Sequence, residues 1–126
     1  MQTVGHINIE IYRCISSQII TDEVILTDER ARHIQGRREN GFLTKYERYF
    51  AQVLADPDYI FLDDRPNTAL VCKTIEAEGA SINLVLRLAV EGDDPSYKNS
   101  ILTAVRESKK RFEQRLRNHT PIFKKI

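Results

Sequence analysis

Three residues with side chains suited to acid–base or phosphate chemistry stand out by their positions in the sequence. His33 is the only histidine inside a predicted helix, and Arg37 lies one turn further along the same helix face. Lys73 interrupts an otherwise apolar strand-like run, Val71–Ile75. Histidine exchanges a proton near neutral pH, and arginine and lysine stabilise negative charge on phosphate. Each position also has a structural interpretation: a capped or half-buried histidine at 33, and an ordinary exposed strand lysine at 73.

Several other chemistries lack the residues that they need. The three histidines are far apart along the chain, and no C-x-x-C or H-E-x-x-H motif occurs, so we expect no metal site. The acidic doublets at 63–64 and 93–94 are typical of turns. Val71 stands where a magnesium-dependent nuclease of the restriction type needs an acid before Lys73. A glycine-rich phosphate loop and a G-x-S-x-G motif are also absent from the sequence, and we expect no cofactor.

The residue types that remain are suited to the cleavage of RNA. RNA carries its own nucleophile, the 2′-hydroxyl, so an enzyme can cleave it without a metal ion. Such an enzyme needs one group to take the 2′ proton, another to protonate the leaving oxygen, and cations or donors around the phosphate.

The composition indicates one globular domain over residues 1–126. Hydrophobic residues make up 41% of the 126 and charged residues 29%, which is enough apolar material for a core. Cys14 and Cys72 lie in apolar runs, and we expect both to be buried free thiols in a reducing, cytoplasmic compartment. No apolar run has the length of a membrane span, and the N-terminus lacks the features of a signal peptide.

The charge is unevenly distributed along the chain. The net charge is +1 overall, but residues 106–126 carry eight Lys/Arg against two Asp/Glu, while the preceding part is acidic. A basic segment of this kind can follow a phosphate backbone, and it can equally be a solvated helix face.

In the first half of the chain, the sequence pattern predicts two short strands followed by helices. Alternation of apolar and polar residues from Ile7 to Ile11 predicts a half-buried strand, and 24–26 predicts a second. Thr27 is a favourable N-cap for the first helix, which we expect to end at 40–41.

The capping box Thr44-x-x-Glu47 predicts the start of a second helix. We expect Asp56-Pro57 to end this helix. Its apolar stripe consists of Tyr46, Phe50, Val53 and Leu54.

The second half predicts an antiparallel sheet and a closing helix. The β-rich runs are 59–62, 68–75, 82–90 and 100–105. A basic helix follows at 107–118, with Phe112 and Leu116 on its inner face, and 121–123 predicts a short edge strand. Because helices come first and strands follow, the fold class is expected to be α+β.

A series of short segments occurs in a recognisable order along the chain: Val24–Thr27, Arg32–Ile34, Asp56–Ile60, Pro66–Leu70, Lys73, Asn83–Leu88 and Lys98–Thr103. Their order resembles that of the phage-associated branch of the barnase–EndoU–colicin–RelE nucleases. The resemblance runs from about Glu23 to the C-terminus and leaves residues 1–22 as an N-terminal strand or extension.

This resemblance implies a barnase- or RelE-like fold, with N-terminal helices packed on an antiparallel sheet of four or slightly more strands and the basic helix at the C-terminus. It implies metal-independent endoribonuclease activity that gives 2′,3′-cyclic phosphate, typical of toxins or effectors of phages and mobile elements. RNA, including tRNA, would be the substrate, and an immunity or antitoxin protein would be the partner.

The resemblance also implies roles for individual residues. His33 would be the general base or acid, with Arg37 and Lys73 on the phosphate. Thr103, Asn99 and Ser100 would form the polar group of the last strand. Arg38 and Arg65 are further substrate-binding candidates.

One departure from the family keeps other interpretations open. The resemblance implies a second histidine just after the helix arginine, as in many relatives, where this chain has Arg38. Arginine does not release a proton near neutral pH, although it can stabilise charge. The alternatives are a non-catalytic nucleic-acid- or protein-binding domain and a structural domain of a phage particle.

Overall fold

A seven-stranded sheet runs through the centre of the molecule in the computed structural model, which describes residues 2–126. The strands are β1 (Gln2–His6), β2 (Glu23–Leu26), β3 (Tyr59–Leu62), β4 (Thr68–Ile75), β5 (Ala80–Arg87), β6 (Asn99–Ser108) and β7 (Phe123–Lys124). The helices are α1 (Ile9–Tyr12), α2 (Asp28–Gly36), α3 (Phe42–Tyr46), α4 (Phe50–Ala55) and α5 (Lys109–Asn118). Short 3-10 segments lie at Glu47–Tyr49 and Glu76–Glu78.

The strand order is β1-β2-β6-β5-β4-β3-β7, and β2 and β6 are the one parallel pair among the described strands. The prediction of an α+β fold is confirmed, but the four-stranded sheet is a correction. Strands β3 to β6 form the expected antiparallel centre, while β1, β2 and β7 extend it at both edges. The N-terminal helices are also short and are interrupted by β2.

Helices α1 to α4 cover one face of the sheet and form the main core with it. The predicted stripe of Tyr46, Phe50, Val53 and Leu54 is fully buried there, although a 3-10 turn divides its helix into α3 and α4. Inward residues of β4 and β5 such as Val71 complete this core. Strand alternation thus fixes which residues face the helices.

The predicted strand from Ile7 to Ile11 is wrong. The Asn8 side chain accepts a hydrogen bond from the Glu10 amide at 3.1 Å and caps α1 instead. The buried Tyr12 hydroxyl then donates to the Leu54 carbonyl at 2.8 Å and holds α1 against α4. A local side-chain cap has therefore prevailed over an alternating pattern.

Three smaller predictions also need correction. The first helix ends at Gly36, and Gly41, with a φ of 80°, precedes the next helix. That helix begins at Phe42, so Thr44 lies inside it and cannot act as an N-cap. Cys14 is exposed because it lies in the turn after α1, whereas Cys72 is buried as expected.

The opposite face of the sheet is only partly covered. Helix α5 packs Phe112 against Phe61 and Cys72 near one side of this face, with Leu116 beside them. The remaining part, which we call the open face, carries half-buried side chains of β4, β5 and β6. None of the helices formed by residues 2–126 is long and apolar enough to cross a membrane.

Candidate functional site

A cavity of about 540 Å³ opens on the open face, between the N-terminal end of α2, the start of β6 and the loop before it. We call it the α2 cavity. Its lining is Ile25, Thr27, Arg30, Arg87, Ser96, Tyr97, Lys98, Ser100 and Leu102. It combines cations, hydroxyl groups and one exposed aromatic ring, which are the groups that bind a phosphate and a nucleobase.

The local sequence explains how strand β6 contributes to this cavity. Ser100 pairs with Arg87 across β5 and β6, so both side chains point to the same face. The register shifts between Val85 and Leu86, which leaves Leu102 as an extra residue of β6. This β-bulge directs Leu102 to the open face beside Ser100, and bulges commonly redirect side chains at functional sites.

Helix α2 is fixed at both ends. The Thr27 side chain accepts a hydrogen bond from the Arg30 amide at 3.1 Å, which confirms the predicted N-cap. Beyond the other end, Arg38 Nε donates to the Ala104 carbonyl of β6 at 2.9 Å. The helix therefore runs alongside β6, and its N-terminal end meets the cavity.

One flank of α2 carries Arg30 and His33, and Arg37 follows as the C-cap residue. Successive helix residues are rotated by about 100°, so Arg30 and His33 lie about 60° apart around the helix axis. Ile34 points to the core, and His33 and Arg37 are exposed. Because Arg30 lines the α2 cavity, His33 lies one turn from it on the same flank. Of the predicted pair, His33 is thus the residue nearer to the cavity, and Arg37 lies one turn further from it.

The three cations of the cavity differ in their partners. Arg87 contacts Asp93 at 3.2 Å and lowers the pKa of that carboxyl, and Lys98 contacts Glu23 at 3.3 Å. Arg30 has no carboxylate partner within residues 2–126. Arg30 is therefore the cation whose charge is available to an incoming anion without breaking an ion pair.

Lys73 lies elsewhere, on the helix-covered face. Its Nζ donates to the Asp56 carbonyl at 2.9 Å and to Asp56 Oδ2 at 3.1 Å, and lies 3.5 Å from Asp58 Oδ1. The residue is only 8% exposed, so the interpretation as an ordinary exposed lysine is wrong. Lys125 and Lys73 together lower the pKa of Asp56. These contacts join β4 to the start of β3 and to the C-terminal segment.

Replacing Lys73 with alanine is expected to lower the free energy of unfolding by about 2 kcal/mol, because two carboxylates lose a charged donor. Urea denaturation measures this change. Lys110→Ala, which removes an exposed lysine of α5, is the matched control and should change stability by less than about 0.5 kcal/mol. Equal stability of the two variants would show that the Lys73 ion pairs contribute nothing.

The other predicted site residues are divided between the two faces of the sheet and an exposed turn. Asn99 is fully buried, where it accepts from the Ala89 amide and donates to the Thr21 carbonyl, both at 2.8 Å. Thr103 is half-buried on the open face, just beyond the bulge. Arg65 is exposed in the β3–β4 turn and forms a two-point contact with Asp63.

Of the predicted site residues, Ser100 lines the α2 cavity. His33 lies on α2 one turn from Arg30, Arg37 follows the end of that helix, and Thr103 lies further along the open face. Lys73 and Asn99 are buried away from the cavity. The sequence analysis did not single out the cavity residues Arg30, Arg87, Tyr97 and Lys98. Arg30 had a detectable signal, since it precedes His33 by one helical turn.

Comparison with known proteins identifies a family that covers most of the chain. A family model described as phage-Barnase-EndoU-ColicinE5/D-RelE like nuclease2 matches residues 2–123. The match includes β1, which lies before the segments that carry the sequence resemblance. Neither a curated protein nor a solved structure shows significant similarity to the chain.

Proposed function

The chain belongs to the phage-Barnase-EndoU-ColicinE5/D-RelE like nuclease2 family, and on this premise we propose that it is a metal-independent endoribonuclease acting at the α2 cavity. One observation carries the proposal. A single cavity on the open face combines Arg30, Lys98 and the Ser100 hydroxyl, and the exposed His33 lies one helical turn from it.

The proposed reaction uses the RNA's own 2′-hydroxyl. His33 either accepts the 2′ proton while a water molecule protonates the leaving 5′ oxygen, or protonates that oxygen while a water molecule takes the 2′ proton, since imidazole does either near neutral pH. Arg30 and Arg37 stabilise the charge on the pentavalent phosphate. The hydroxyls of Ser100 and Thr103 orient its non-bridging oxygens.

In this proposal, groups around the reacting residues hold the substrate. Tyr97 is 53% exposed at the cavity, and a ring in that position stacks on a base of any sequence. The exposed cations of α5, Lys109, Lys110 and Arg111, attract the backbone on the side of the sheet where α5 packs. Binding should therefore weaken as salt concentration rises.

The biological setting follows from the family and is likewise a proposal. The family description names phages and nucleases, which supports a toxin or effector of a phage or mobile element that acts on cytoplasmic RNA such as tRNA. A nuclease of this kind requires an immunity or antitoxin protein in the cell that produces it.

A second function is favoured by one observation. Nε of Arg38 donates to the Ala104 carbonyl, and the sequence resemblance implies a second histidine at this position. If two histidines are needed for the reaction, the chain binds RNA without cutting it. This alternative is a non-catalytic nucleic-acid-binding domain on the same fold.

A chimeric oligonucleotide tests the proposal. In EDTA, the protein should cleave an all-RNA oligonucleotide to a product ending in 2′,3′-cyclic phosphate, identified by mass spectrometry. The same oligonucleotide with one 2′-deoxynucleotide at the cleavage position should stay intact, because it lacks the nucleophile. Cleavage that stops in EDTA, or that proceeds on the deoxy substrate, would contradict the mechanism. Binding of both oligonucleotides without cleavage would favour the binding domain.

A further inference from the structure

A second cavity, of about 570 Å³, lies on the same open face at the C-terminal end of α5. We call it the α5 cavity. It is lined by Phe61, Leu62, Asp63, Asp64, Leu70, Val85, Val105, Arg115, His119, Thr120 and Ile122. Nothing in the proposed reaction uses this cavity.

Part of the lining of the α5 cavity is an apolar surface built from three neighbouring strands. Leu70 on β4 and Val85 on β5 are direct cross-strand partners. Val105 lies on β6, the strand next to β5. All three side chains are half-buried, so their remaining surface faces the cavity. A pleated sheet surface of this kind fits the flat face of an aromatic ring.

The polar groups around this surface differ in their availability. Asp63 is already bound by Arg65, and Arg115 is held by Glu107 in a two-point contact at 3.0 and 2.9 Å. Asp64 is exposed and helps to raise the pKa of the neighbouring Arg65, but its carboxylate has no hydrogen-bond partner in the part of the chain that the structure describes. A carboxylate with unused acceptor positions beside an apolar surface is suited to accept N–H donors from a flat ligand.

We propose that the α5 cavity binds an unpaired nucleobase of the RNA and prefers a base with an exocyclic amino group. Adenine, cytosine and guanine carry such a group for Asp64 to bind, and uracil does not. The proposal rests on the proposed function, because it gives that substrate a second contact on one continuous face. Val85 of the α5 cavity and Arg87 of the α2 cavity are two residues apart on β5, so the nearest parts of the two cavities are separated by roughly 7 Å.

Titration with nucleoside 5′-monophosphates tests this proposal. The methyl resonances of Leu70, Val85 and Val105 should shift with AMP, CMP and GMP, and UMP should bind about fivefold more weakly because one hydrogen bond is lost. Asp64→Asn should remove most of this difference. Glu91→Gln, the same change at an exposed position outside both cavities, should preserve it.

The outcomes separate this proposal from the proposed function, because monophosphates contain no bond that the ribonuclease reaction cleaves. Cleavage of RNA together with unshifted methyl resonances would overturn the base site and leave the ribonuclease standing. Shifts that are equal for all four nucleotides, or unaffected by Asp64→Asn, would overturn the preference for amino groups. Base-selective shifts in a protein that cleaves no RNA would support the base site alone.

Discussion

Replacing His33 with alanine is expected to lower the rate of RNA cleavage in EDTA by at least about 100-fold, the usual contribution of a general acid or base. The side chain is exposed on α2, so stability should change by less than about 0.5 kcal/mol. The measurement is kcat/KM on a fluorogenic RNA, with binding of a 2′-O-methyl RNA measured separately. Binding should remain within about threefold of wild type, since His33 acts on protons and does not anchor the strand.

Arg32→Ala provides the matched control for this experiment. Arg32 is also exposed on α2, but it points about 100° away from His33, toward the flank that does not meet the α2 cavity. It should retain most of the cleavage activity. Loss of activity in both variants, or in neither, would contradict the role given to His33.

The largest effect on stability is expected for Phe50→Ala, at about 4 kcal/mol. Phe50 is 0% exposed in α4, between the sheet and the other N-terminal helices, so truncation leaves a cavity that rigid strands cannot fill. Urea denaturation with an unchanged m-value measures the loss.

Leu62→Ala is the control for Phe50→Ala, because Leu62 is 61% exposed on β3 and its truncation should change stability by less than about 0.5 kcal/mol. A similar small change for Phe50→Ala would show that α4 is not packed on the sheet as described.

Much of the fold was predictable where a local signal coincided with the tertiary environment. The range Thr68–Ile75 matches β4, and Asp56-Pro57 ends α4 as expected. The prediction of a strand from Ile7 to Ile11 failed because the same residues are compatible both with an alternating strand pattern and with a capped helical turn. Docking of Tyr12 on α4, a long-range contact, decides between them.

The candidate site was predictable only in the part that a single helix carries. The spacing of His33 and Arg37 placed them on one flank of α2, and the structure adds Arg30 to that flank. Arg87 and Ser100 lie side by side because β5 pairs with β6 across a bulge. No short sequence pattern predicts this pairing. Lys73 was an unusual residue in an apolar strand, but its carboxylate partners come from the segment before β3.

The most direct test of the central claim is to locate a bound substrate analogue on the protein. A short 2′-O-methyl RNA keeps the phosphates and bases but cannot be cleaved by 2′-hydroxyl attack. Its titration should shift the His33 imidazole and the backbone resonances of Arg30 and Ser100, and a crystal structure should show a phosphate within hydrogen-bond distance of Arg30. Shifts confined to the helix-covered side around Lys73, with none at the α2 cavity, would contradict the account.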